Sequence, residues 1–585
     1  MRIRKIKIKN YRNFRDLELY PAQTTILIGE NNVGKSNLLH ALRLLFDPEA
    51  RRLESEISED DINDAARSEG ENSFSITVEI GDLQEHQELE ANFMPRIAQD
   101  SDETYVTIEG RYEPDEVGEY SFKVLVLSPE GRYNDPIPFS DRMRRYIPLY
   151  YLDAVRDARR EMRATGRGAL AQLLSDVKLE DVEEDVLTNI RKANQALSQN
   201  QDINNLAEGI GDLLSPYIPG GQGEVSMTVA TEDPAQLVKG LRLTLRRQSD
   251  FRAYDMYRHG TGLQNLVLIA MFRHRISTAG AIQPILAIEE PEAHLHPQAQ
   301  RCLFKNLEKI GGPVLLTTHS PTIAECSNPL GLIRLTFTDQ NQITAQQIDQ
   351  SKMVKDDLKL LARMMRSGHA DAFFARAIII VEGPSEVIAL PAFADQIGHR
   401  LDRDGISVVP ANGNAFSCIL RSCSSDHFSI PTIVVFDTDV LQHSNDLLKQ
   451  AYKVGLINKE ARNAGKNAPA ELRQRILEEV GWIPAVLNFE EEVARIGYLQ
   501  LILEVIEEAG AMLSLENFLT ENDLRKDPHG VAQFLNEKRR KSLKVPVAYA
   551  VAENVETVGK VPHCFERAIK EAVKLATGGE TAIWG

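Results

Sequence analysis

The chain of 585 residues carries 67 Lys plus Arg against 85 Asp plus Glu, a net charge of −18, and 43% of its residues are apolar. At roughly 100 to 200 residues per domain this length needs two to four cores, and no apolar run approaches the roughly 18 to 20 residues of a membrane span. Cys302, Cys326, Cys418, Cys423 and Cys564 form no C-x-x-C pair, which fits reduced thiols in a cytoplasmic protein and excludes a zinc ribbon.

The first residues alternate basic and apolar side chains without a secretory apolar core. Residues 3–14 read as an edge strand and residues 25–28 as a short buried strand ending in glycine. Gly29-Glu30-Asn31-Asn32-Val33-Gly34-Lys35-Ser36 follows at once and fits the G-x-x-x-x-G-K-[ST] phosphate loop. Its glycines let backbone N–H groups turn inward around phosphate, Lys35 reaches the terminal phosphates and Ser36 holds Mg²⁺. Gly29, Asn32, Gly34, Lys35, Ser36 and Asn37 are therefore the candidate ATP contacts. Leu38, Leu39, Leu42, Leu45 and Phe46 recur at helical spacing, and Pro48 ends that helix.

Antiparallel strands are expected near 74–80, 105–108 and 122–127, then a polar helical block near 168–218 closed by Pro219-Gly220-Gly221. His259-Gly260-Thr261-Gly262 opens an apolar helix whose N-terminus can face a phosphate held by a second subunit. The buried strand 285–288 runs into Glu289 and Glu290. Glu289 is placed to hold Mg²⁺ through water and Glu290 to orient an attacking water. Another buried strand, 314–317, leads to His319, a candidate γ-phosphate sensor. The stretch 341–375 reads as a linker.

A second α/β unit begins near residue 376. The apolar run 378–381 ends in Glu382, a Gly-Pro turn and Glu386 in the next helix; the run 433–436 ends in Asp437-Thr438-Asp439. Parallel strands present their carboxyl ends at one edge, so Glu382, Glu386, Asp437 and Asp439 can converge. Such a cluster of hard oxygen ligands suits Mg²⁺ or Mn²⁺. Beyond residue 497 the pattern is mostly amphipathic helix.

The N-terminal order of phosphate loop, Gly-rich helix start, Glu-Glu strand end and strand-end His resembles the ABC-type ATPase head of the SMC and RecF group, in which two heads sandwich ATP. The C-terminal order resembles the Toprim fold, and the wording Val381-Glu382-Gly383-Pro384-Ser385-Glu386 joined to such a head resembles the OLD (overcoming lysogenization defect) family of ATPase-nucleases, which includes nucleases of Gabija-type defence. Asn412-Gly413 sits where Toprim domains place a glycine, and residues 150–157 resemble a segment of the OLD head.

The resemblance implies an α/β chain: an ATPase head at 1–168 and 219–340, a helical dimerisation insert at 169–218, a linker at 341–375 and a Toprim domain at 376–585. It also implies two-metal hydrolysis of DNA, a homodimer or higher homo-oligomer, and a possible UvrD-like helicase partner. The family's further acid and lysine fall on Glu491, with Glu490 and Glu492 as rivals, and on Lys544 over Lys541. Arginines at Arg142, Arg144, Arg145, Arg156, Arg159, Arg160, Arg163 and Arg167, and at Arg242, Arg246, Arg247, Arg252 and Arg258, are candidate backbone-phosphate contacts or surface ion pairs, and Lys538-Arg539-Arg540-Lys541 with Lys544 forms a third candidate cluster. The rival function is a non-catalytic ATP-driven DNA-repair clamp whose Toprim unit only supports assembly.

Overall fold

The structure is a computed structural model. It describes all residues except 49, 84–86, 101–102, 130–134, 154–160, 165–168, 175–182, 215–239, 247–251, 279–283, 339–341, 412–415, 439–440, 442–445, 486–487, 519–526, 538–539 and 579–585. Asp439, Asn412 and Gly413 thus lie outside the described residues, as do Arg156, Arg159, Arg160, Arg167, Arg247, Lys538 and Arg539 of the basic clusters. Among the described residues no helix is long and apolar enough to cross a membrane. The chain divides into two compact units, Met1–Arg144 with Pro313–Gly585, and Arg145–Gly312.

The first unit opens with an antiparallel sheet in which Arg2–Tyr11 lies between Phe14–Leu19 and Phe74–Gly81, followed by Thr104–Pro114 and Tyr120–Val126. The expected edge strand is therefore internal, because residues 14–19 return alongside it. A register shift between Ile3 and Lys5 brings Ile3 onto the buried face with Ile6 and Ile8, although the first two are three apart. Thr24–Gly29 then pairs in parallel with Val314–Thr317 on one side and Leu332–Phe337 on the other, and Ile343–Gln347 closes that edge antiparallel.

Of the stretch 341–375, expected as a linker, residues 342–375 form largely regular structure instead. They hold the Ile343–Gln347 strand, the helix Lys355–Met364 and the turns to Phe374. Leu361, Met364 and Met365 bury one stripe of an otherwise polar segment, and its composition hides that stripe.

The Toprim sheet is parallel throughout, in the order Ile406–Pro410, Ala377–Val381, Thr432–Phe436, Ile483–Pro484. Ala377–Val381 is buried at every position, as a strand covered by helices on both faces requires. Helices Pro384–Gln396, Lys544–Glu553 and His563–Ala576 supply much of that cover and share one apolar core with the sheet.

The second unit contains a parallel pair, Leu149–Leu152 with Ile285–Glu289, and the helices Glu183–Ser198, Gln201–Leu214, Thr261–Thr278 and Pro297–Leu307.

Candidate active site

The phosphate loop joins the Thr24–Gly29 strand to the helix Lys35–Phe46. Gly29 has φ 144 and Gly34 φ 94. A Cβ on Gly29 would stand 2.4 Å from the Leu335 carbonyl oxygen, and one on Gly34 2.8 Å from the Phe14 ring, so both positions need glycine for conformation and for space. Asn32 also takes a left-handed conformation, at φ 66. Lys35 is buried and its Nζ donates to the carbonyls of Gly29, 2.9 Å, and Glu30, 2.8 Å. Ser36 is exposed at the helix start.

The amide of Asn37 is engaged inside the protein: its Oδ1 accepts from Arg12 at 2.9 Å and its Nδ2 donates to Asn13. Arg12 and Asn13, in the hairpin turn, are thus neighbours of the loop that the motif alone does not reveal. The register Thr317 opposite Leu27 brings the exposed His319 level with Gly29 at the same sheet edge.

In the second unit Glu289 ends its strand buried, and Glu290 sits at φ 40, a conformation that costs a non-glycine residue on the order of 1 kcal/mol or more and that clusters at functional sites. The Gly-rich helix start packs on the turn that follows. Asn265 donates to Ala293 O, and a Cβ on Gly262 would lie 2.6 Å from His294 O.

The Toprim site stands at the carboxyl ends of Ala377–Val381 and Thr432–Phe436. These strands are parallel neighbours, with Ile380 opposite Val434, so Glu382 and Asp437 leave the sheet at one edge. Glu386, in the first turn of the following helix, is buried. Burial above all, with Glu490 and Glu382 adding to it, pushes its carboxyl up to about 8. Lys544 pairs with Glu490 at 3.0 Å. Burial opposes the Lys544 charge, but the surrounding Glu490, Asp437 and Glu386 outweigh it and hold the amine protonated beyond its usual range.

Glu490, Glu491 and Glu492 are all buried, each with its own partner. Glu490 faces Lys544 and Glu386. Glu491, the residue expected to complete the metal set, turns instead to Arg495 and His529, because successive residues of a helix point about 100° apart. Glu492 accepts from the buried thiol of Cys564. The structure therefore brings together Glu382, Glu386, Asp437, Glu490 and Lys544, while Lys541 is exposed. Among the described residues no three acids, imidazoles or thiols close on a single point. Carboxylate oxygens such as those of Glu382, Glu386 and Asp437 are the hard donors that a divalent cation takes.

The two halves of the first unit meet at the phosphate loop. Arg376, at the entry to the central Toprim strand, donates from Nε and Nη2 to both Glu30 carboxylate oxygens at 2.6 and 3.1 Å. Its backbone N–H is held by Gly405 O at 2.7 Å. The buried Arg334, one strand over from the loop, donates to Ala375 O and Phe428 O. Of the arginines considered for nucleic acid, Arg144 is buried and spent on Leu45 O and Asp141.

A phosphate loop set between a buried strand and a helix, joined to a parallel sheet with carboxylates at its edge, is the class these elements define. Residues 1–370 match the family described as protein of unknown function (DUF2813), and residues 373–439 match overcoming lysogenization defect protein-like, TOPRIM domain. The chain is 25% identical over 456 residues to the OLD nuclease of Thermus scotoductus, covering 75% of this chain and 82% of that one. It is 22% identical over 547 residues to the endonuclease GajA of Bacillus cereus, 90% of this chain and 89% of that one. With the Old nuclease of Escherichia phage P2 the identity is 24% over 77% of this chain and 79% of the relative. The chain belongs to the DUF2813 family and, through its Toprim part and these relatives, to the OLD family.

Proposed function

We propose that the protein is a nucleotide-regulated, metal-dependent DNA endonuclease that nicks or cleaves its substrate in anti-phage defence. The observation that carries this reading is the parallel register that sends Glu382 and Asp437 off one sheet edge, beside the buried Glu386 and the Lys544–Glu490 pair at 3.0 Å. Glu382, Glu386, Asp437 and Glu490 would hold the metal, with Asp439 the further candidate ligand. A pair of Mg²⁺ or Mn²⁺ ions supplies an activated water and stabilises the leaving 3′ oxygen. Lys544 would set its ammonium against the negative charge that develops on the phosphate, in a half-buried position where that charge is weakly screened. Three relatives named as nucleases or an endonuclease support the assignment.

In the head, Gly29, Gly34, Lys35 and Ser36 would cradle the phosphates of ATP with Mg²⁺ on Ser36, and Asn32 and His319 would add to that site; on the second unit, Glu289 and Glu290 would keep the metal and water roles their strand-end motif implies. Binding would draw the Lys35 Nζ away from the Gly29 and Glu30 carbonyls. Glu30 also holds Arg376, so the same movement would reach the strand that ends in Glu382; this supports nucleotide control of the nuclease. The protein would act in the cytoplasm as a homodimer or larger homo-oligomer through the helices of residues 169–218, with a UvrD-like helicase as a candidate partner.

The test is incubation of the purified protein with supercoiled plasmid and Mn²⁺ or Mg²⁺. Nicked or linear product that disappears with a chelator is expected; plasmid unchanged under every metal and nucleotide condition overturns the reading.

A further inference from the structure

We propose that Glu491, Arg495 and His529 form a positioning clamp that selects which of three consecutive glutamates faces the Toprim site. The inference rests on the nuclease reading above, and Glu491 acts in it as a positioning residue, without touching metal or DNA.

The helix Phe489–Val493 presents Glu490, Glu491 and Glu492 in succession. Three identical side chains about 100° apart mean that a rotation of less than a third of a turn exchanges the carboxylate aimed at Glu386 and Lys544. Helix propensity and charge do not distinguish these settings, so partners outside the helix must.

Glu491 is 0% exposed, and both of its oxygens are used. Oε1 accepts from Arg495 Nε at 2.8 Å and also from its Nη2. Oε2 takes His529 Nδ1 at 2.9 Å, from the separate helix Pro528–Asn536. The imidazole is itself oriented, because Gln533 Nε2 stands 2.8 Å from His529 Nε2. An amide N–H donating to Nε2 leaves Nδ1 as the protonated nitrogen, so the ring is the donor to Glu491. Asn488 Oδ1 accepts from the Glu491 backbone N–H at 3.0 Å and anchors the first turn.

These contacts pin the helix about its own axis. Arg495 lies one turn further on, at the start of the wide turn Ala494–Tyr498 in which Gly497 takes φ 127, and braces Glu491 along the helix. His529 ties Glu491 to a neighbouring helix, which fixes rotation; Cys564 against Glu492 adds a second, weaker stop. With Glu491 and Glu492 both committed, Glu490 is left to face Lys544. Outer groups that orient a ligand in this way typically govern metal affinity or activity by about 10 to 100-fold.

Wild type, Glu491→Gln, Glu491→Ala, His529→Ala and Glu490→Gln are compared by plasmid cleavage across a Mn²⁺ titration and by calorimetric Mn²⁺ binding to the uncut protein, with thermal melts as the control for folding. Glutamine keeps an acceptor for Arg495, and its amide N–H can donate to His529 Nδ1 once the imidazole takes the other tautomer and the Gln533 amide turns over to accept from Nε2, so Glu491→Gln is expected to stay within about threefold of wild type in rate and Mn²⁺ half-saturation, whereas Glu490→Gln loses cleavage. Glu491→Ala, or His529→Ala should the former not fold, raises the Mn²⁺ half-saturation by about 10-fold, in the range of an outer-group loss. Glu491→Gln as inactive as Glu490→Gln makes Glu491 a ligand and overturns the clamp. Unchanged half-saturation in both alanine variants also overturns it. Wild type that neither binds Mn²⁺ nor cuts overturns the nuclease reading itself, a result distinct from either.

Discussion

Arg376→Ala removes the one bidentate ion pair described between the phosphate loop and the Toprim strand. Arg376 is 50% and Glu30 43% exposed, so the pair is well screened and contributes about 0.2 to 1 kcal/mol to stability. The melting temperature should move by only a few degrees at most. The same figure caps the coupling it can transmit: about 1 kcal/mol is roughly a fivefold effect of nucleotide on cleavage rate. The assay is plasmid cleavage with and without ATP or a non-hydrolysable analogue, with nucleotide affinity followed separately by a fluorescent analogue. Arg376→Ala should cleave at the wild-type rate without nucleotide, bind nucleotide, and lose most of the response to it; the exchanged pair Glu30→Arg with Arg376→Glu should regain part. An identical nucleotide response in wild type and Arg376→Ala would refute transmission through this pair.

Three further outcomes follow from particular atoms. Gly34→Ala should abolish nucleotide binding in a fluorescence titration, since the added methyl meets Phe14 and Asn13 at a left-handed φ; tight binding by that variant would contradict the loop geometry. Glu386 has its carboxyl raised to about 8 against an ordinary 4.5, so between these pH values the folded protein holds a proton that the unfolded chain has released. Metal-free stability should therefore fall as pH rises through that window, and Mn²⁺ affinity should rise through it as the proton is displaced, a dependence that Glu386→Gln removes. Lys544→Met should abolish cleavage and, by leaving Glu490 buried without its cation, destabilise the fold by about 3 kcal/mol or more in a denaturant titration.

Much of this chemistry was legible in the sequence because it is local. The phosphate loop is read from eight adjacent residues whose glycines have steric reasons, and the Toprim strands from unbroken apolar runs that end in Glu382 and Asp437. What was not legible depends on partners remote in sequence. Glu490 and Glu491 are indistinguishable until Lys544, 54 positions away, and His529, 38 positions from Glu491, are in place. The Glu30 to Arg376 contact spans 346 positions and leaves no local signal. Asn37 reads as a phosphate contact from its place in the motif, yet Arg12 and Asn13 claim its amide. The first strand looked like an edge because the short returning strand Phe14–Leu19 was absorbed into the same reading.

Hydrolysis of DNA at the Toprim edge is measured by cleavage of supercoiled plasmid in Mn²⁺ by wild type beside Glu382→Ala and Asp437→Ala, with matched melting curves. Nicked or linear product is expected from wild type and none from either folded variant. Variants that cut as well as wild type, or a Lys35→Ala protein that loses all biological effect while Asp437→Ala keeps it, would rule out hydrolysis at this edge and favour a non-catalytic clamp.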